Sequence, residues 1–373
     1  MRPEHWPLEL ALTVLAAALN ALLVRQTATS QSRRLSAWLG LTVWTTISLN
    51  TSAAAAIRLF EWMPGVSWLR AMGASWLLVA PWLLLSSACW RKGSAVDPGR
   101  RRLLRAAAVV AVAPAGVLAY GFSVARRDTQ VREVDLAFKN LPGDLDGIRI
   151  VQVSDIHLSP FLSRSQLRRV VDQANETRSD LAVVTGDLIT SYGDPLDAAL
   201  AELKHLRATA GIYGCLGNHE ILAEAEDYAT EAGARQGLRF LRSQAASLRF
   251  GSARLNLAGV DYQKKGSRYL AGADSLIRAN EFNLLLSHNP DVFPVAAQQG
   301  WDLTLAGHTH GGQVTLEFLH ASLNPARFYT PFTYGTYREK GRAIYVTRGI
   351  GTVGVPARFG APPEVAVIRL VRG

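Results

Sequence analysis

The sequence predicts a layered α/β (α+β) domain at residues 128–373, preceded by an α-helical transmembrane region of about four helices within residues 1–127. Three observations predict it. Long apolar segments are confined to the first third of the chain. Short β-branched runs then alternate with stretches of helical spacing, before a strand-rich second half. Five of those runs end on aspartate, asparagine or histidine.

The apolar segments span 8–24, 36–57, 66–90 and 106–124, each near the ~20 residues that cross a bilayer core as a helix. Trp38, Trp68 and Trp90 lie near segment ends, where interfacial tryptophans collect. The chain carries 40 Lys and Arg against 30 Asp and Glu. Residues 1–127 hold 14 of the basic and 4 of the acidic residues, and residues 128–373 hold 26 of each. The excess therefore lies between apolar segments, where it sets membrane orientation; nucleic acid is not an expected partner. Arg25, Arg33, Arg34 and the Arg91–Arg105 stretch predict cytoplasmic linkers. The protein is thus expected to be integral to the cell membrane, with its catalytic domain extracytoplasmic. Cys89 and Cys215 offer neither a disulfide framework nor a CxxC metal site.

Val134–Phe138 alternates as a half-buried strand, and Leu141–Gly147 is turn chemistry. Ile148–Val153 reads as a central strand, Ser165–Thr177 as a helix with Leu167, Val170, Val171 and Ala174 on one face, and Leu181–Thr185 as a buried strand. Helices are expected near Pro195–Arg207 and Leu222–Arg235, around a strand at Ile212–Leu216. Strands follow at Ser247–Phe250, Arg254–Gly259, Phe282–Leu286, Leu303–Ala306, Ala343–Thr347 and Val365–Leu370.

The strand ends carry the chemistry. Asp155-Ile156-His157, Gly186-Asp187, Gly217-Asn218-His219-Glu220, Ser287-His288 and Gly307-His308-Thr309-His310 follow five successive strands. Residues two apart at a strand end project to one side. One Asp-x-His is weak evidence, but five ligand sets at carboxyl ends are strong, because ligands of open sheets gather there. Oxygen and nitrogen donors without thiolate suit Mn, Fe, Zn or Mg.

These motifs resemble the calcineurin-like metallophosphoesterases, whose pattern D-x-H, G-D, G-N-H-[DE], H and G-H-x-H is present in that order. The stretches Ile150–Leu158, Leu285–Pro294 and Tyr345–Gly351 are similar to the membrane-linked branch, the transmembrane proteins with a metallophosphoesterase domain and their exported bacterial relatives. The resemblance implies a four-layer αββα sandwich with two divalent or trivalent metal ions at the sheet edge. Asp155, His157 and His310 would hold one ion, Asp187 would bridge, and Asn218, His288 and His308 would complete the second site. It further implies His219 as the catalytic histidine, with Glu220 orienting it.

Two metal ions less two aspartates leave a positive centre that attracts phosphate and makes hydroxide available near neutral pH. The expected function is a membrane-anchored, metal-dependent phosphoesterase that hydrolyses a phosphodiester or lipid pyrophosphate by direct water attack. A lipid-linked phosphoester and the bilayer are its expected partners. The alternatives are a UDP-2,3-diacylglucosamine-type lipid pyrophosphatase and a non-catalytic metal-binding receptor or scaffold. Arg164 and Arg348 are candidate substrate-phosphate contacts, since guanidinium matches phosphate geometry. The aromatic tract Leu319–Tyr334 has two readings, packing on the core or facing a membrane.

Overall fold

Period-two alternation of apolar side chains decides the layers. In the strand Arg149–Val153, Ile150 points into one hydrophobic cluster while Val151 and Val153 point into another. In Leu181–Thr185, Leu181 and Val183 face the first cluster and Ala182 and Val184 the second. A strand buried on both faces must be covered on both, so two sheets face each other and helices cover their outer faces.

The computed structural model describes residues 120–373 except 314, 319 and 320. Most of them form one compact unit, Ser123–Val353 with Ala357–Gly373. The first sheet contains β1 (Gln130–Phe138), β2 (Arg149–Val153), β3 (Leu181–Thr185), β4 (Ile212–Cys215) and β5 (Leu238–Phe240). The second contains β6 (Gln244–Phe250), β7 (Ala253–Gly259), β8 (Phe282–Leu286) and β9 (Leu303–Ala306). A small hairpin, β10 (Leu316–Phe318) with β11 (Ala321–Leu323), interrupts it before β12 (Gly335–Glu339) and β13 (Arg342–Val346). The last strand, β14 (Glu364–Arg372), returns to the first sheet. The strand orders are β1-β14-β2-β3-β4-β5 and β12-β13-β9-β8-β7-β6. Both sheets are mixed: β2 to β5 run parallel, as do β1 with β14 and the set β7, β8, β9 and β13, whereas β14–β2, β6–β7 and β12–β13 are antiparallel.

The helices are α1 (Arg164–Glu176), α2 (Leu196–Leu203), α3 (Asn218–Leu222), α4 (Glu226–Arg235) and α5 (Phe293–Gln299). Helix α1 starts at a reciprocal cap, Ser163 accepting from the Gln166 amide while Gln166 returns to the Ser163 amide. Its buried face is Leu167, Val170, Val171 and Ala174, packed with residues of α2 and α4 in the cluster outside the first sheet. Between the sheets lie Leu136, Phe138, Leu255, Leu284, Leu303, Tyr345 and Leu370. Trp301 is buried outside the second sheet with Val292 and Ala296.

The expected sandwich is present, but the expected transmembrane part of the fold is corrected. Among the described residues, no helix is long and apolar enough to cross a membrane. The segments 8–24, 36–57 and 66–90, and the fourth up to residue 119, lie outside the described residues. At the end of the fourth, residues 120–123 are helical and lead through a 3-10 turn at Ala125–Arg127 into β1. The described part of that segment, 120–124, is far shorter than the ~20 residues a bilayer core requires, and Arg126 and Arg127 follow it directly.

Candidate metal centre

Parallel order brings the carboxyl ends of β2, β3 and β4 together in one sheet and those of β8, β9 and β13 in the other. The seam between them is sewn by side chains. Gln152, fully buried on β2, donates to Thr185 on β3 at 2.8 Å and to the Ala306 carbonyl on β9 at 3.0 Å. The His308 amide donates to Asp155 Oδ1 at 2.8 Å.

The loops leaving these strands turn at once, and the turns are conformationally costly. Asp155, His157, Asp187, His308 and His310 all adopt positive φ, between 48° and 75°. Five of the seven expected ligands thus occupy a region that L side chains rarely visit, a form of strain that collects at functional sites. Neighbouring glycines make the approach possible. A Cβ on Gly217 would lie 2.1 Å from Asp187 Oδ1, and one on Gly307 would lie 2.3 Å from Asp155 Oδ2.

Three sets of ligand atoms converge, each within 4.8 Å: Asp155, His157 and His310; His157, Asp187 and His219; and Asp187, His288 and His308. The first and third together contain six of the seven residues expected as ligands, all but Asn218, and Asp187 belongs to both the second and third sets. Asn218 Oδ1 is buried without a hydrogen-bond partner, as is Asp155 Oδ2. His288 Nε2 stands 3.0 Å from Asp187 Oδ2, close enough to pair but without hydrogen-bond geometry. Nε2 atoms of His157 and His310 approach to 3.1 Å. Buried polar atoms rarely stay unsatisfied. Orphaned oxygens and nitrogens aimed at one space, all hard or borderline donors, fit divalent metal ions.

The electrostatics agree. Burial holds His157 down to about 3, helped by His219, and holds His308 at about 3, helped by His288. Burial and His157 also push His310 well below its ordinary value. All three are therefore neutral imidazoles, the form that ligates metal. Burial raises Asp155 to about 6. Burial also pushes Asp187 upward, but His288, His219 and His157 together hold it well below the usual carboxylate range. His288 is lifted to about 10, because Asp187 and Asp155 outweigh burial.

His219 and Glu220 open α3. His219 Nδ1–H donates to the Thr190 carbonyl at 2.5 Å, its ring meets His157 edge-on at 4.7 Å, and its amide donates to Asp187 Oδ1 at 3.0 Å. Thr190, absent from the sequence reading, thus orients this histidine. Glu220 was expected to do so; its carboxylate instead accepts the amides of Gly217 at 2.8 Å, Asp187 at 2.9 Å and Leu188 at 2.7 Å. A helix-opening glutamate one residue from the histidine reaches back to amides before it reaches the ring.

Arg164 is also placed differently. It lies on α1, where its Nε pairs with Glu202 Oε1 of α2 at 2.5 Å, alongside Arg168 on the same carboxylate. Helical spacing put it on a face that meets α2. Arg348 follows β13, with its guanidinium 4.4 Å over the Tyr334 ring and its Nε 4.0 Å from Glu364. Two further residues had no sequence signal beyond their type. The Tyr262 ring lies tilted against His308, with centroids 5.4 Å apart. Arg358 is fully buried and donates to the carbonyls of Gly351, Arg348, Ala361 and His310, beside His310 Nδ1 at 3.3 Å.

Two facing sheets with buried aspartates and neutral histidines at their shared edge define a metal-dependent hydrolase class. A family model described as calcineurin-like phosphoesterase matches residues 148–312. The Bacillus subtilis protein called uncharacterized metallophosphoesterase YkuE is 33% identical over 234 residues, 62% of this chain and 81% of its own length. The Escherichia coli phosphodiesterase YaeI is 28% identical over 60% of this chain and 82% of its own. A Danio rerio transmembrane protein with metallophosphoesterase domain is 34% identical over 70% of this chain, but the match spans only 62% of that protein. The chain belongs to the calcineurin-like metallophosphoesterase family. Membership makes it a phosphoester hydrolase by family, one that uses divalent metals and takes a phosphoester as substrate.

Proposed function

We propose that the protein hydrolyses a phosphodiester by direct attack of water, with Asp155, His157, His310 and Asp187 holding one metal ion and Asp187, Asn218, His288 and His308 a second. The observation that carries this reading is the pair of ligand clusters meeting at Asp187. When bound, the metal ions would supply Lewis-acid charge for the phosphoryl oxygens and an acidified water. The residues of the chain do the rest. With Nδ1 committed to Thr190, the His219 ring leaves Nε2 to exchange a proton at the leaving oxygen. Glu220 fixes the backbone that carries Asp187, so it acts on position and not on the proton. Arg348, held over the Tyr334 ring, is the arginine offered to a substrate phosphate.

The diester preference is supported by the name of the Escherichia coli relative. Association with a membrane is supported by the Danio rerio relative's name; for the extracytoplasmic side the support is the arginine distribution of residues 1–127 alone. That side favours a cell-envelope phosphodiester over a UDP-2,3-diacylglucosamine-type pyrophosphate, which needs a cytoplasmic site. The ligand set and His219 are both retained, which disfavours a scaffold. The test is hydrolysis of bis(p-nitrophenyl) phosphate and p-nitrophenyl phosphate after metal stripping and separate reloading with Mn, Fe, Zn and Mg. Metal-dependent turnover, faster on the diester and lost in Asp187→Asn, is expected. A folded protein that binds metal and turns over neither ester would sink the reading. A C-terminal reporter active only in the cytoplasm would sink the extracytoplasmic placement.

A further inference from the structure

The aromatic tract that follows β11 divides. Phe332 turns inward, edge-on to Phe293 at 5.7 Å and to Tyr337 at 5.2 Å. Phe328 and Tyr329 turn outward and are 81% and 67% exposed. Single exposed aromatics are ordinary, but two adjacent ones at these exposures are not covered by anything described in the chain.

Their position is tied to the site. Lys265 Nζ donates to the Tyr329 carbonyl at 2.6 Å, and Thr330 Oγ1 donates to Asp291 at 2.5 Å. Asn289 Nδ2 donates to the Gln263 carbonyl at 2.7 Å. These bonds knit the segments after β7, β8 and β11 into one rim beside His288 and His308, the two histidines over which Tyr262 stands.

The rim is basic on a domain that is otherwise balanced. Residues 128–373 carry 26 basic and 26 acidic side chains, yet Lys264, Lys265, Arg268 and Arg327 are all exposed on these segments. Within 261–269, 287–291 and 324–334 these four bases stand against two acids, Asp261, which pairs with Arg242, and Asp291, which accepts from Thr330 and keeps its charge. Aromatic rings ringed by cations are the chemistry of a bilayer interface. The rings sit at headgroup depth while each cation gains from anionic lipid.

We propose that this rim, with Phe328 and Tyr329 as its insertion point, docks the mouth of the metal centre onto an anionic lipid surface. The proposal rests on the membrane association proposed above and adds the face that meets the lipid. Docking there presents the His288–His308 end of the site to phosphates at headgroup level.

The test uses the full chain with Cys89→Ser, since buried Cys215 does not react, and places a nitrobenzoxadiazole label on Phe328→Cys. Vesicles of phosphatidylcholine with or without phosphatidylglycerol carry a nitroxide on the lipid chain. The expected result is a blue-shifted label quenched from the lipid phase in vesicles containing phosphatidylglycerol, with a control label on Lys204→Cys unquenched. Lys265→Glu with Arg327→Glu is expected to lower the docked population by at least about tenfold while hydrolysis of bis(p-nitrophenyl) phosphate is unchanged. Protein that floats with vesicles while the label stays in water overturns the docking face alone. Protein that does not float overturns the membrane association as well. An equal shift with heparin in the absence of vesicles replaces the lipid surface with a soluble polyanion and overturns the proposal.

Discussion

Replacing Glu220 with glutamine separates positioning from proton transfer. The carboxylate is fully buried and accepts three amides at 2.7–2.9 Å, two of them on Asp187 and Leu188. Hydrogen bonds to a charged acceptor are worth about 1.5–3 kcal/mol each. Glutamine keeps one acceptor oxygen but turns an NH2 donor against amides that also donate, so one or two of the three bonds are lost. A destabilisation of about 3 kcal/mol is expected, close to 6–12 °C in Tm for a domain of this size. Because Asp187 is carried by that backbone, metal affinity is expected to fall about 10–100-fold, as when outer partners of metal ligands are removed. The assays are thermal denaturation of the metal-free protein and metal content after dialysis at graded free metal. Normal stability and normal metal affinity, with only the pH profile of kcat displaced, would refute this reasoning. That result would return Glu220 to the role of orienting His219.

Three other outcomes follow from the same geometry. His219→Gln is expected to bind metal normally and lose about 10²–10⁴ in kcat, which titration calorimetry beside turnover checks; loss of metal would make His219 a ligand. The metal-free protein is expected to weaken by about 3 kcal/mol from pH 6.5 to 5, read by urea denaturation. His157 and His308 are held near 3 in the fold, so the unfolded chain takes up their protons first, and the raised Asp155 offsets only part. Metal loading near pH 7.5 is expected to release about one proton, because His288 is held protonated up to about 10 until the metal displaces it; calorimetry in buffers of different ionisation enthalpy counts it.

Strands β8 and β9 were legible to the residue, because apolar runs buried on both faces stop abruptly at Ser287 and Gly307. The helix expected over Leu222–Arg235 starts only at Glu226 as α4, and a separate short helix, α3, precedes it, the two parted at Ala223–Ala225 with Glu224 at positive φ. Alanine and glutamate favour helix locally and gave no warning of that break. Strand β5 has three residues, too few for periodicity, and β12 alternates only between half-buried and exposed positions. At the site, the candidate ligand residues were legible because metal chemistry restricts residue type and each set ends a strand. Partners were not. Whether Glu220 meets a ring or three amides, and whether Arg164 meets phosphate or Glu202, depends on packing between segments distant in sequence. Arg358 shows the same limit, a single arginine in a loop whose fork is spent on carbonyls that no spacing reveals.

Strand β14 sits between β1 and β2, and among the described residues β1 has no other strand neighbour. The first sheet is therefore unfinished until the final nine-residue strand has arrived. A nascent chain can assemble β2 to β5 early, but β1 must wait with its edge open through the synthesis of the whole second sheet. Order of synthesis and order of closure run in opposite directions here, which lengthens the interval in which an unpaired strand is available to the wrong partner. Loss of Glu364–Arg372 would therefore act on the middle of a sheet and not on an edge.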